Sequence, residues 1–153
     1  MSVQYATCDA SIRACYPVLA QLRPHLEEAA FMAQVQRQMA NHDYCLAYLQ
    51  HDGQVAAVSG FRFVEYLAWG KALYVDDLVT ADSARKLGLA GQLLDHLIGL
   101  ARESGCQQFH LDSGVQRHDA HRLYLGRKLQ ISSHHFSLEL APRVAATTAG
   151  ARE

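Results

Sequence analysis

The chain has 153 residues, 50% of them hydrophobic and 19% charged, which fits one globular domain with a real core and excludes a disordered chain. With 14 basic and 15 acidic residues the formal net charge is -1, so no overall charge draws it to nucleic acid or to an anionic membrane. No apolar run approaches the roughly 20 residues of a membrane-spanning helix.

Val3 to Thr7 alternates apolar and polar residues, as a half-buried strand does. Asp9 or Ser11 then offers a helix cap, and Ile12, Cys15, Tyr16, Leu19 and Leu22 recur at helical spacing. Pro17 sits inside that pattern and predicts a kink or the first turn of a shorter helix. After Arg23-Pro24-His25 a second helix is expected from Leu26 to Ala40, with Phe31, Met32, Val35 and Met39 on one face. Tyr44–Gln50 and Val55–Phe63 read as strands around a turn at Asp52-Gly53, where glycine supplies a positive φ. A second connection near Tyr66 to Lys71 leads into a third strand, Leu73 to Thr80.

Next comes a short basic turn, Arg85-Lys86-Leu87-Gly88-Leu89-Ala90-Gly91, and a helix from Gln92 to Ala101. Leu89, Leu93, Leu97 and Leu100 line its stripe, and Gly105 is a stop signal. Gln107 to Asp112 reads as a further strand, Asp119 to Lys128 as a helix, and Ile131 to Leu140 as a closing strand or strand pair with Phe136, Leu138 and Leu140 alternating. Pro142 to Glu153 has no periodic pattern and is expected to be a flexible tail, leaving 1–141 as the domain. The order is β-α-α-β-β-β-α-β-α-β, an α/β chain with a mixed sheet and helices on both faces.

Cys8, Cys15, Cys45 and Cys106 form no C-x-x-C pair, and no signal-like segment opens the chain. Reduced thiols and a cytoplasmic location are the expectation. His118-x-x-His121 could place two imidazoles on one helix face, but no further ligand falls at a metal-site spacing, so no metal is expected.

A strand that feeds a helix through a basic, glycine-bearing turn aims unpaired N–H groups and the positive helix end outward, which suits a phosphate. Arg85-x-x-Gly88-x-Ala90, in that position, resembles the R/Q-x-x-G-x-G/A signature of the GNAT acetyltransferase superfamily. The element order is similar too, over about Val3 to Leu140. The resemblance implies that Arg85, Lys86, Leu87, Gly88, Leu89, Ala90 and Gly91 hold the pyrophosphate of acetyl-CoA. It implies that main-chain groups of Leu78, Val79 and Thr80 pair with the pantetheine arm, in a gap where the strands matching Leu73–Thr80 and Gln107–Asp112 splay apart. Ala120-x-x-x-Tyr124 matches the A-x-x-x-Y of the family, which makes Tyr124 the expected general acid, with a phenol pKa near that of a departing thiol. Arg117 stands where the family has asparagine, and Lys128-Leu129 where it has Gly-Phe. Leu111 to His118 is also similar to a run in an uncharacterised bacterial subset of the superfamily, and Arg117 could reach the cofactor or cap its helix.

The base is open. Asp76 and Asp77 lie on the strand beside the expected thioester, and strict alternation would let at most one of them face the amine. Glu65, Asp112 and His110 are further candidates, and Glu65, Tyr66 and Trp69 either shape an aromatic acceptor pocket or pack a hairpin. The implied activity is acetyl transfer from acetyl-CoA to a primary amine by direct attack in a ternary complex. The alternative is a GNAT-like module that binds CoA or a partner without turnover. The acceptor is not legible, no nucleic-acid or membrane partner is expected, and a homodimer is the family tendency.

Overall fold

The computed structural model describes residues 2–141. The chain divides into two compact units, residues 1–111 and residues from 112 on. The tail expected over 142–153 lies outside the described residues.

The first unit is a five-stranded sheet with three α-helices. Its elements are β1 (Gln4–Tyr5), α1 (Asp9–Leu22), α2 (Glu28–Asn41), β2 (Tyr44–His51), β3 (Gln54–Tyr66), β4 (Gly70–Thr80), α3 (Leu89–Glu103) and β5 (Gln108–Leu111). Spatial order follows chain order, β1 to β5. The first four strands are antiparallel neighbours, and β5 alone runs parallel to β4. Consecutive buried residues, Leu46 to Leu49 on β2 and Ala56 to Phe61 on β3, show that both sheet faces are covered. Helices α1 and α2 pack on each other and on the sheet, and α3 packs against β2 to β5. Leu46, Leu49, Val58, Phe61, Leu73, Leu89, Leu93, Leu94 and Leu97 form the driest part of this core.

Local chemistry explains most boundaries. Helix α1 starts one turn before the apolar stripe because Ser11 Oγ accepts from the Cys8 amide at 3.1 Å, closing a capping box. Pro17 is carried inside that helix. Asp52 and Gly53 both have positive φ, as a two-residue hairpin turn requires. Helix α3 begins at Leu89 rather than Gln92, directly after Gly88 at φ 74.

The second unit contains α4 (His118–Gly126). It ends two residues earlier than expected, and Lys128, at φ 65, takes the left-handed place that glycine usually fills after a helix. The closing strand expected over Ile131 to Leu140 is not part of the sheet. That segment carries a strand's alternation but pairs with no strand among the described residues. A strand needs a neighbour as well as a pattern.

Candidate functional site

The parallel pairing of β5 with β4 runs from Ala72↔Gln108 to Val75↔Leu111 and stops there. Strand β4 continues to Thr80, paired only with β3. Its other side, from Asp76 to Thr80, is an open sheet edge among the described residues. Ala81 donates its amide to Ala56 O at 2.8 Å. Antiparallel alternation carried back from that bond turns the main-chain groups of Val79 toward β3 and those of Leu78 and Thr80 toward the open edge. Of the three residues expected to offer main-chain groups to a pantetheine arm, two therefore have them free. The Thr80 hydroxyl is buried without a partner among the described residues.

The edge leads into the turn. A single 3-10 turn, Asp82–Ala84, follows β4, and the Asp82 amide is held by Gln21 Oε1 of α1 at 2.9 Å. Arg85 is extended, Lys86 and Gly88 have φ of 68 and 74, and α3 starts at Leu89. The first bond into the helix is Gln92 N to Gly88 O at 3.1 Å. No partner among the described residues takes the N–H groups of Lys86 to Gly91. No side chain caps this helix start, and its first turn holds no acidic residue. An uncapped start of a fifteen-residue helix, with positive dipole and successive free donors, has the geometry that suits an anion. The side chains of Arg85 and Lys86 flank it; Arg85 pairs with Asp82 at 2.6 Å, an exposed contact that is cheap to break. An added Cβ at Gly88 would meet nothing within 4 Å, so the space above the turn is open.

Beside the open edge lies a polar cluster that sequence reading missed in part. The β3–β4 register shifts between Gly60↔Asp77 and Phe61↔Val75, so Asp76 is an extra residue, a β-bulge. Alternation fails there. Asp76 shares a face with Tyr74 and its partner Arg62, and Asp77 shares the same face through Gly60. Both aspartates thus point to one face, where strict alternation allowed only one.

Both are occupied. Arg62 Nε donates to Asp76 Oδ1 at 3.1 Å and its Nη2 pairs with Asp76 Oδ2. Arg23, at the C-terminal cap of α1, donates from Nε to Asp77 Oδ1 at 2.9 Å, and its Nη2 reaches the Asp76 carbonyl at 3.4 Å. Tyr44 Oη donates to Asp77 Oδ2 at 3.1 Å, and Ser59 Oγ, fully buried, donates to the Asp77 carbonyl at 2.9 Å. Burial first, then the nearby carboxylates of Asp77 and Asp76, push the Tyr44 phenol well above its ordinary 10.0. The Asp76 carboxylate raises Arg62 in turn. Tyr44 reaches Asp77 because residue 60 is glycine: a Cβ there would sit 1.9 Å from the Tyr44 hydroxyl. The isolated glycine inside β3 was the available signal for a bulge or close approach. Arg23 gave none, because its segment reads as a helix end.

His110 pairs in register with Tyr74 and so lies on the same face. Trp69 stacks on it, centroids 3.8 Å apart and planes at 19°, and Tyr66 meets Trp69 edge-on at 4.9 Å. One face of the indole is thus filled by the protein itself, which supports the packing reading of this hairpin. Glu65 is exposed on β3.

In the second unit, Tyr124 is buried on α4. Burial raises its phenol above 10.0, and Arg117, at the N-cap of the same helix, lowers it by less. Asp112 is exposed. Among the described residues no three His, Cys, Asp or Glu side chains are grouped to hold a metal, and no helix is long and apolar enough to cross a membrane.

A donor-rich turn at the end of an open strand, in a mixed sheet of this order, matches an acyltransferase-type α/β fold. The acetyltransferase (GNAT) family model matches residues 8–127, and the chain belongs to that family. It is 31% identical over 109 residues to YhdJ of Bacillus subtilis, an uncharacterised N-acetyltransferase, across 71% of this chain and 77% of that one. Among solved structures it resembles a transcriptional regulator from Bacillus halodurans (TM-score 0.80, 20% identity, 90% of this chain and 98% of that chain). It also resembles the aminoglycoside N-acetyltransferase AAC(6')-Iy in complex with CoA (TM-score 0.78, 12% identity, 90% and 93%). At these identities the two structures establish the fold.

Proposed function

We propose that the chain is an acyl-CoA-dependent N-acetyltransferase that moves the acetyl group of acetyl-CoA to a primary amine by direct attack. The observation that carries this reading is the run of free N–H groups from Lys86 to Gly91 at an uncapped helix start, in line with the open edge of β4. In this proposal the turn takes the pyrophosphate, with Arg85 and Lys86 beside it. Main-chain groups of Leu78 and Thr80 receive the pantetheine amides as a short added strand, and an outward amide there polarises the thioester carbonyl.

The amine nitrogen attacks that carbonyl, the C–S bond breaks, and the thiolate takes a proton from Tyr124. That role for Tyr124 rests on the A-x-x-x-Y match, and its raised pKa keeps the phenol protonated across the working range. Asp76 and Asp77 hold the ammonium group or pass its proton to water, rather than acting as bare bases, since all four of their oxygens already accept from arginine or tyrosine. No metal is needed, because a thioester is already activated. The location proposed is cytoplasmic, where acetyl-CoA is made.

Titration calorimetry with acetyl-CoA tests the turn. Gly88→Ala adds only the strain of a left-handed residue, about 1 kcal/mol. Gly88→Glu adds a carboxylate where a diphosphate should lie. Binding lost in Gly88→Glu and largely kept in Gly88→Ala supports the site; binding untouched by either substitution refutes it. Thiol release across an amine panel then separates turnover from the second reading, a CoA-binding module. That reading is favoured by one observation, the arginine pairing of both aspartates. Tight binding with no release for any amine would establish the module.

A further inference from the structure

The cluster on the Asp76–Asp77 bulge does not use up its two arginines. Arg62 meets Asp76 side-on, through Nε and Nη2. That mode leaves the end-on fork of the same guanidinium, one N–H from each Nη, without a partner among the described residues. Arg23 spends Nε and Nη2 on the Asp77 carboxylate and the Asp76 carbonyl, and its Nη1 likewise takes none among them. Neither guanidinium is sealed off, with side chains 23% exposed at Arg62 and 43% at Arg23. Arg62 is also held in place, since its guanidinium carbon lies 5.6 Å from the centre of the Tyr44 ring. A fork fixed before its ligand arrives loses little entropy on binding.

Holding the bulge uses only the side-on edge of Arg62. The unspent fork is a planar, charged pair of donors, which matches a carboxylate. The aspartates complement it. Each carboxylate has about four lone-pair positions, and the arginines and Tyr44 do not fill them all, so a further donor such as an ammonium can be accepted. Donors for an anion and acceptors for a cation thus lie side by side on one face, next to the open edge of β4.

We propose that the acetyl acceptor is a free α-amino acid, its carboxylate received by the fork of Arg62 with Arg23 beside it, and its ammonium group by Asp76 and Asp77. Arg62 and Asp76 touch each other, so the two charges they receive must be joined by very few bonds, as in an amino acid zwitterion. The inference rests on the acetyl-transfer reading. The amine nitrogen forms its bond to the acetyl carbon and the C–S bond breaks. Of the two protons the ammonium loses, one passes to water and one leaves with the thiol.

Thiol release from acetyl-CoA, followed with free L-amino acids and with their α-carboxamides, tests the assignment. In the wild type kcat/KM should be about 10- to 100-fold higher for the acids, the range for hydrogen bonds to a charged group. The carboxamides have the less basic amines and would be favoured by amine chemistry alone, so a preference for the acids reads the carboxylate contact. Arg62→Lys keeps a charge against Asp76, removes the fork and should erase that preference. The wild-type comparison decides by itself where Arg62→Lys does not fold. Carboxamides or simple amines used as well as the acids, or a preference that survives Arg62→Lys, would overturn the amino acid assignment and leave acetyl transfer standing. Bound acetyl-CoA with no release for any amine would overturn both.

Discussion

Gly60→Ala should be a costly single-methyl change, although residue 60 lies on a strand where alanine is ordinarily tolerated. The new Cβ would stand 1.9 Å from the Tyr44 hydroxyl, 2.5 Å from Cζ and 2.8 Å from Cε2. Tyr44 is 5% exposed and has no room to swing into water, so the ring must be pushed off its site or the strand must shift. Overpacking of this kind costs about 1–3 kcal/mol. The displaced hydroxyl also gives up its bond to Asp77, and hydrogen bonds to charged groups are worth about 1.5–3 kcal/mol. Asp77 keeps Arg23, which limits the second cost. The expected loss is about 2–4 kcal/mol for Gly60→Ala, against about 1–2 kcal/mol for Tyr44→Phe, which removes the bond without the clash. Urea unfolding of both variants measures these values. A Gly60→Ala protein within about 0.5 kcal/mol of the wild type would refute the reasoning, because no other mechanism makes a buried strand glycine here necessary.

Four further outcomes are expected. Tyr124→Phe should lower turnover by about two to four orders of magnitude, the range for a general acid, with acetyl-CoA affinity kept; equal loss of both would remove Tyr124 as the acid. Thr80→Val should be neutral or slightly stabilising in thermal melts, because it deletes a buried hydroxyl that has no partner among the described residues. Cys15, fully buried and pushed up to about 12, should resist alkylation in the native protein, whereas exposed Cys8, lowered by hydrogen bonds from Ser11, should react first by mass spectrometry. The folded state favours a protonated Tyr44, so its contribution is whole below about pH 10 and lost as pH climbs through the higher folded value. Tyr44→Phe should therefore lose stability less steeply above pH 10 than the wild type does.

The features legible in the sequence were those set by local pattern. The glycine-bearing turn into α3, the Asp52-Gly53 hairpin and the leucine stripe of α3 each depend on residues within one turn or one strand. What was not legible depends on register between strands. Asp76 and Asp77 share a face only because β4 carries an extra residue against β3, a relation between Val75, Asp77 and residues 60 and 61 that no stretch of β4 reveals alone. Arg23 and Tyr44 reach Asp77 from elements more than thirty residues away, and Trp69 finds its stacking partner on β5. Phe136 to Leu140 failed in the opposite sense: the local pattern is a strand's, and the neighbour that would make it one is missing from the chain's own sheet.

The bulge at Asp76 links these observations. A bulge bends its strand and increases the local twist, so a neighbour that follows the straight part cannot follow past it. Parallel pairing ends at Val75, one residue before the bulge, and the open edge begins at the bulge itself. The main-chain carbonyls freed by the irregularity are taken by Arg23 and Ser59, and the two carboxylates by Arg62, Arg23 and Tyr44. Such a set of partners over-determines a conformation that would otherwise relax to regular pairing. It also cancels the charge of the aspartates, two acids against two arginines, so these four side chains present no net charge to a cation beside the open β4 edge. In the proposed reaction an amine held there would be selected by the direction of hydrogen bonds rather than by Coulomb attraction. Amine binding should therefore respond weakly to salt, and a steep salt dependence would mean that the arginines release the aspartates when the acceptor arrives.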